Sequence, residues 1–218
     1  MPERSIQFMR LERPHPGEQA AAARVRLADK FPRTALRRMT HLGLLTGAAL
    51  DGVPVGEDDA VVYASTYAET RALEDFLGTF PAASPLLFQT SIHPSAVQQV
   101  LIGRQQSVGR YWPITGRRRL VESALLVALL ETAPRVVLAC GEERGSWLLE
   151  KGMASDRAFA LALVLTQDPS GALGRVRFTA GGAPDEPCPS LPDFADAVGE
   201  RRGLSWSGAG GEWSLDWS

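Results

Sequence analysis

The sequence predicts an α/β layered fold, and three observations carry that expectation. Strand-like and helix-like hydrophobic patterns alternate along the chain, the order of a sheet with helices packed on it. One strand, Ala60-Val61-Val62-Tyr63-Ala64-Ser65, is a short and nearly continuous apolar run, which is how a strand covered on both faces reads. The helix expected over Leu120–Leu130 is apolar on nearly every side, so it should be buried rather than amphipathic, and that asks for more layers than a two-layer sandwich.

In chain order, residues 5–11 alternate apolar and polar side chains through Ile6 and Phe8, with Leu11 slightly out of step, and predict a first strand. A polar, proline-rich stretch at 13–17 and an alanine-rich stretch at 20–23 follow. Thr34 is placed to cap a helix through Leu36, Met39, Leu42, Leu45 and Ala49, ended by Asp51-Gly52 and Pro54. After the 60–65 strand, a helix is expected from about Tyr67 to Gly78, with Leu73, Phe76 and Leu77 on its apolar face and Phe80-Pro81 breaking it. Ser84-Pro85 reads as loop, and Ser91-Ile92-His93-Pro94-Ser95 leads into a helix through Val97, Val100 and Leu101. Residues 107–115 read as extended, 135–140 and 158–166 as strands, and Asp168-Pro169-Ser170-Gly171 as a turn. The tail is rich in Gly, Pro and Ser but closes on Trp213, Leu215 and Trp217 alternating with polar residues, an expected last edge strand. No repeat or low-complexity linker divides the chain. Residues 1–218 are therefore expected to form a single domain, with a core over about 31–167 and a tryptophan-bearing tail at 171–218.

A chain of 218 residues is long enough for one domain with a sizeable core, and 44% hydrophobic with 22% charged residues is ordinary globular composition. A formal net charge of -2 argues against a general nucleic-acid binder, which needs a basic face. The positive charge is almost all arginine, Lys30 and Lys151 being the only lysines; codon bias accounts for this, although the arginine fork matters wherever carboxylates or phosphates are met. Met1-Pro2-Glu3-Arg4 opens without an apolar secretory region, and the longest apolar run, 124–130, is too short to span a bilayer. Cys140 and Cys188 make no disulfide framework. The chain is expected to be cytoplasmic, with no membrane span.

Sets of catalytic residues are sought and not found. His15, His41 and His93 are widely separated, neither cysteine has zinc spacing, and there is no dinucleotide, Walker-type or Gly-x-Ser-x-Gly motif. No metal and no cofactor is expected. Cys140 ends a strand and is followed by Glu142 and Glu143, which would raise its pKa, so it reads as structural. His93 reads as a hydrogen-bonded structural or interface residue, His41 as surface or core-edge, and His15 as solvent-exposed.

Four segments in order, Leu36-Arg37-Arg38-Met39, Val61-Val62-Tyr63-Ala64-Ser65, Ser84-Pro85-Leu86-Leu87-Phe88 and Ser91-Ile92-His93-Pro94-Ser95-Ala96, make the chain resemble a known family. It resembles the β-ketoacyl synthase N-terminal-like, chain-length-factor-like proteins of aryl-polyene (type II polyketide) pathways, over roughly residues 31–167. The resemblance implies the N-terminal half of a thiolase-like fold, a layered sheet with buried helices. In a full ketosynthase the strand matching 107–115 leads to a nucleophilic cysteine at the start of the next, buried helix. Here that junction reads Ile114-Thr115-Gly116-Arg117-Arg118-Arg119-Leu120, with Thr115 the only hydroxyl and no base apparent. The histidines that assist decarboxylation lie in the half of the fold this chain lacks, so the resemblance implies no catalytic residue. The family commonly has His-Asn where this chain has His93-Pro94.

By the same resemblance the chain would be a non-catalytic partner of an active β-ketoacyl synthase in aryl-polyene, polyketide or fatty-acid-like biosynthesis. It would form a heterodimer edge to edge through the 107–115 strand, with an acyl carrier protein as a further partner. The 91–96 loop would approach the partner's acyl pocket and bear on chain growth. Partner- or pocket-lining residues are then Ser91, His93, Pro94, Arg117, Arg118 and Arg119. Two readings stay open: an acyl-chain or carrier-protein binding module, and an acyl-transfer enzyme using Cys140 or Ser65. Half of a fold should leave an apolar face uncovered, which favours association, and Trp206, Trp213 and Trp217 either cover part of it or complete a small core. Three arginines opening a helix oppose its dipole. One of them is expected to fill the nucleophile position, paired with Glu142 or Glu143; the alternative is three solvated charges.

Overall fold

The computed structural model describes residues 2–181, 187–208 and 210–218. Strand β1 (Glu3–Glu12) is followed by helix α1 (Ala20–Arg26), a 3-10 turn at Ala28–Lys30, the four-residue helix α2 (Arg33–Leu36) and helix α3 (His41–Ala49). The one helix expected from Thr34 is thus two. The cap is Thr40, whose Oγ1 accepts from the Gly43 amide at 3.0 Å while its own amide donates to Gln99 Oε1 at 2.8 Å. Within α3 everything from Leu42 onward is buried. Gly47 allows this, because a Cβ there would stand 2.3 Å from the Phe31 ring.

Strand β2 (Ala60–Ser65) is buried at all six positions. Helix α4 (Thr70–Leu77) starts three residues later than the pattern suggested and buries Thr70, Ala72 and Glu74, not Leu73, Phe76 and Leu77. Its face is set by a buried carboxylate that caps another segment, a feature hydrophobic periodicity does not see. Helix α5 (Pro85–Ser91) occupies a stretch read as loop: Ser84 accepts from the Leu87 amide, so Ser84-Pro85 is a cap followed by a first-turn proline. Helix α6 (Ser95–Gly103), strand β3 (Arg110–Thr115), helix α7 (Leu120–Leu130), strand β4 (Arg135–Glu142), the short helix α8 (Trp147–Glu150) and strand β5 (Phe159–Thr166) complete the region that resembles the family.

The tail holds more than one strand. It contains β6 (Gly174–Ala180), α9 (Leu191–Gly199), β7 (Leu204–Gly208) and β8 (Gly211–Trp217). All eight strands form one sheet in the order β3-β2-β4-β5-β1-β6-β8-β7. The strand carrying Trp213, Leu215 and Trp217 therefore lies inside the sheet, and β7 is the edge, because β8 folds back from β7 and pairs with β6 on its other side. Strands β3, β2 and β4 are parallel, Tyr63 standing opposite Pro113 on one side and Ala139 on the other. The remaining pairings are antiparallel.

Alternation along the central strands feeds two cores. Val62, Ala64, Leu138, Cys140, Leu161 and Leu163 face α7 and α9. Val61, Tyr63, Val137, Ala139 and Ala162 face the layer of α1, α3 and α6. Both faces are covered, as continuous apolar strands require. Helix α7 is not buried all round: Leu126 and Leu130 are exposed, Leu130 by 64%, and they flank the free edge strand β3 with its exposed Trp112. Among the described residues no helix is long and apolar enough to cross a membrane.

Candidate functional site

The carboxyl ends of the parallel strands β2, β3 and β4 lie together, the place where open α/β sheets commonly carry their sites. Ser65 ends β2, Thr115 ends β3 and Glu142 ends β4. Glu142 is buried and ties this end shut. It accepts from the amides of Thr66 and Tyr67 and from Ser65 Oγ, which itself accepts from the Ala68 amide. Burial pushes the Glu142 carboxyl up to about 6 against those donors. Glu143 is also buried, accepts from the amides of Leu42 and Arg71 at 2.7 and 2.9 Å, and is pushed by burial to about 7.

After β3 the chain turns through Arg117-Arg118-Arg119 into α7. Arg119 is the residue before the helix and has φ 53°, a left-handed conformation uncommon for a side chain of this size. Its Nη1 lies 3.6 Å from Glu122 Oε2. Glu122 is buried in the first turn of α7, and its Oε1 accepts from Trp206 Nε1 at 3.2 Å. An acidic group in the first turn offsets what the arginines cost the helix dipole. The expected intramolecular partner was Glu142 or Glu143. Among the described residues the acid Arg119 approaches is Glu122, while Glu142 and Glu143 accept from backbone amides. Arg117 is exposed, donates to the Gly152 carbonyl at 2.7 Å and lies over the Tyr67 ring, and Arg118 is exposed.

Arg117 and Arg119 line a cleft of about 500 Å³ at the start of α7, with Tyr67, Glu142, Asp156 and Cys188. The half-buried Cys188 thiol faces the amides of Val121 and Glu122, and burial pushes its pKa up. Cys140 is buried in β4, with burial, then Glu142, pushing its thiol far up. That is the setting of an inert structural cysteine.

Ser91, His93 and Pro94 lie apart from this cleft. Ser91 Oγ donates to the Phe88 carbonyl at 2.8 Å and ends α5. His93 stacks on Tyr63, and the Pro94 carbonyl accepts from Tyr111 Oη at 3.5 Å. His41 is half-buried at the start of α3, and His15 is exposed. Glu69, Glu122 and Cys188 were not singled out by sequence reasoning. Glu122 carried a usable signal, since one carboxylate in an otherwise apolar helix needs a buried partner. Cys188 carried none, its place at α7 being a matter of tertiary folding.

Two further surfaces are shaped. The β3 edge exposes Trp112, whose indole donates to Glu131 Oε2 at 2.7 Å, and with Val127 and Leu130 it lines a hollow of about 450 Å³. A groove of about 720 Å³ runs between α2, α5 and α6, lined by Arg37, Arg38, Leu86, Gln98, Gln99 and Ile102.

No protein-family model matches the chain, and no curated protein matches it. Solved structures do. A chain in the complex of the ketosynthase ApeO with its chain length factor ApeC from Xenorhabdus doucetiae has TM-score 0.64 at 18% identity, covering 98% of this chain and 98% of that one. The ishigamide ketosynthase/chain length factor has TM-score 0.60 at 16% identity, over 81% of this chain and 67% of that chain. The AntDE:AntF structure, a type II polyketide synthase acyl-carrier protein in complex with its ketosynthase, has TM-score 0.58 at 12% identity, over 85% and 70%. The fold is therefore the thiolase-like α/β fold of ketosynthase structures.

Proposed function

We propose that this chain is a non-catalytic, chain-length-factor-like partner of an active β-ketoacyl synthase, working in aryl-polyene, polyketide or fatty-acid-like biosynthesis in the cytoplasm. The observation that carries this is Arg119. It holds the left-handed turn that opens α7, the place where a ketosynthase would carry its nucleophile, and it is paired with Glu122. A guanidinium there can bind an anion but cannot form an acyl-enzyme. The other candidates for covalent work are poorly suited: Cys140 is buried with its thiol pushed up, and Ser65 Oγ donates to Glu142 inside the fold.

Association with a ketosynthase is supported by the β3 edge. Unpaired strand edges are templates for pairing, and this one is bordered by exposed Trp112, Leu126 and Leu130. Pro113 lies on it, a residue tolerated at an edge and not inside a sheet. On this reading 1–218 acts as one ketosynthase-like unit, with Ser91, His93 and Pro94 facing the partner and Arg117 to Arg119 sealing the inert turn.

The test is intact-mass analysis after incubation with acyl-carrier thioesters. The chain should gain no acyl mass. An acyl adduct lost in Cys140→Ala or Cys188→Ala would overturn the reading.

A carrier-protein contact is a second reading, favoured by the groove between α2 and α6. Arg37 and Arg38 line it, are exposed and make no ion pair among the described residues. An acidic carrier-protein surface would complement them.

A further inference from the structure

Behind β2, three side chains from three segments meet away from solvent. Tyr63 is fully buried and stacks on the His93 ring, with centroids 5.0 Å apart and planes inclined by 18°. Glu69, just ahead of α4, is also buried. Its Oε1 accepts from the Ala96 amide at 2.6 Å in the first turn of α6, and its Oε2 lies 4.0 Å from His93 Nδ1. Tyr63 Oη, Glu69 Oε2 and both His93 nitrogens are buried and have no hydrogen-bond partner among the described residues. Buried polar groups nearly always have a partner. A separation of 4.0 Å is too long for a direct hydrogen bond and suits a shared water.

We propose that Glu69 is a positioning residue for the 91–96 loop: from a buried chamber shared with Tyr63 and His93 it anchors that loop to β2 and to the first turn of α6, and the anchoring weakens in alkali as the closed chamber becomes costly to keep. The importance of the loop to a partner rests on the function proposed above, whereas the chamber itself does not.

The groups facing Glu69 explain the direction. They are Tyr63 from β2, Tyr111 from β3, Glu142 and Glu143 at the end of β4, His93 from the loop before α6, and the Ala96 amide in the first turn of α6. Among the described residues the only basic group within 4.0 Å of the carboxyl is His93. Burial pulls that imidazole down to about 4, so it is neutral at neutral pH and offers no compensating charge. Burial, with Glu143 and Glu142 adding to it, pushes Glu69 up to about 8 against the Ala96 amide. Because this folded-state value lies above the ordinary carboxylate range, the anchoring is complete in acid and lost as pH rises through about 8.

Amide exchange at Ala96, corrected for intrinsic base catalysis, and a ¹³C-carboxyl titration test this on the isolated chain. In the native chain, protection of Ala96 should fall about tenfold between roughly pH 7 and 9. Glu69→Gln should keep its protection across that range, since the amide oxygen still accepts from Ala96 without charge. Glu69→Ala should lack protection throughout. A Glu69 carboxyl titrating in the ordinary range, or a Glu69→Gln profile parallel to the native one, would overturn the proposal. In a second arm, affinity for the cognate ketosynthase should weaken about tenfold over the same change in pH for the native chain, and stay level for Glu69→Gln. Loss of Ala96 protection with no ketosynthase binding at any pH would sustain the positioning role and count against the proposed partner instead.

Discussion

Glu122 shows what a single residue does here. It is a buried carboxylate and the one charged side chain of a mostly apolar helix, with Arg119 near one oxygen and the Trp206 indole on the other. Removing it leaves an indole N–H without its acceptor, which costs about 1–3 kcal/mol. Glu122→Ala should therefore lower the denaturant midpoint by that order and Glu122→Gln by less. Equal effects of the two would deny the hydrogen bond its role. The sequence showed that the arginines at the start of α7 needed an offset. It did not show which acid provides it, because Glu142 and Glu143 become unavailable only when the ends of β2 and α3 present amides to them. Those two acids also set a pH dependence. Burial raises them to about 6 and about 7, so their contribution is full below the ordinary carboxylate range and falls away as pH rises through those values. Glu131 works the other way. Burial would raise it, but the Trp112 indole, the Ala133 amide and Arg110 outweigh burial and hold it down at about 2, so its contribution is lost only in strong acid. Thermal midpoints should be highest in mildly acidic buffer and decline from about pH 6 to 8, more shallowly in Glu142→Gln. A midpoint that rises steadily to pH 8 would contradict this.

The elements of the central sheet were legible because continuous apolar runs need no context. Residues 60–65 and the helix over Leu120–Leu130 fall where the pattern put them. The cap at Thr40 was missed because Thr34 stands before a similar apolar spacing, and it is the contacts of Thr40 with the Gly43 amide and with Gln99 that distinguish the two threonines. Thr40→Ala should cost about 1 kcal/mol and Thr34→Ala nearly nothing, by chemical denaturation. The strands of the tail were largely unreadable because β6 interleaves Arg175 and Arg177 with Val176, and β7 is only five residues long. Helix α7 was read as buried on every side, yet Leu126 and Leu130 reach the surface beside β3. An apolar stripe next to a free edge is a place for a partner. Leu130→Asp should leave the isolated chain as stable as before, since the side chain is already 64% exposed, while weakening ketosynthase binding at least tenfold.

At the scale of the molecule, the tail changes what half a thiolase-like fold means. Strands β6, β8 and β7 extend the sheet, and α9 with Trp206 and Trp213 covers the face of α7 and the central strands that would otherwise meet water. Exposed apolar side chains remain beside β3, at Trp112, Leu126 and Leu130, around the α4–α5 connection, at Phe80, Leu86 and Phe88, and singly elsewhere, as at Val25 and Ile102. Self-association of the isolated chain, relieved by a ketosynthase, is the behaviour this distribution favours. The decisive measurement is native and intact-mass spectrometry of the chain co-expressed with its cognate ketosynthase and supplied with acyl-carrier thioester. A one-to-one heterodimer in which only the ketosynthase gains acyl mass is the predicted result. An acylated form of this chain, or a stable monomer that never joins the ketosynthase, would contradict it.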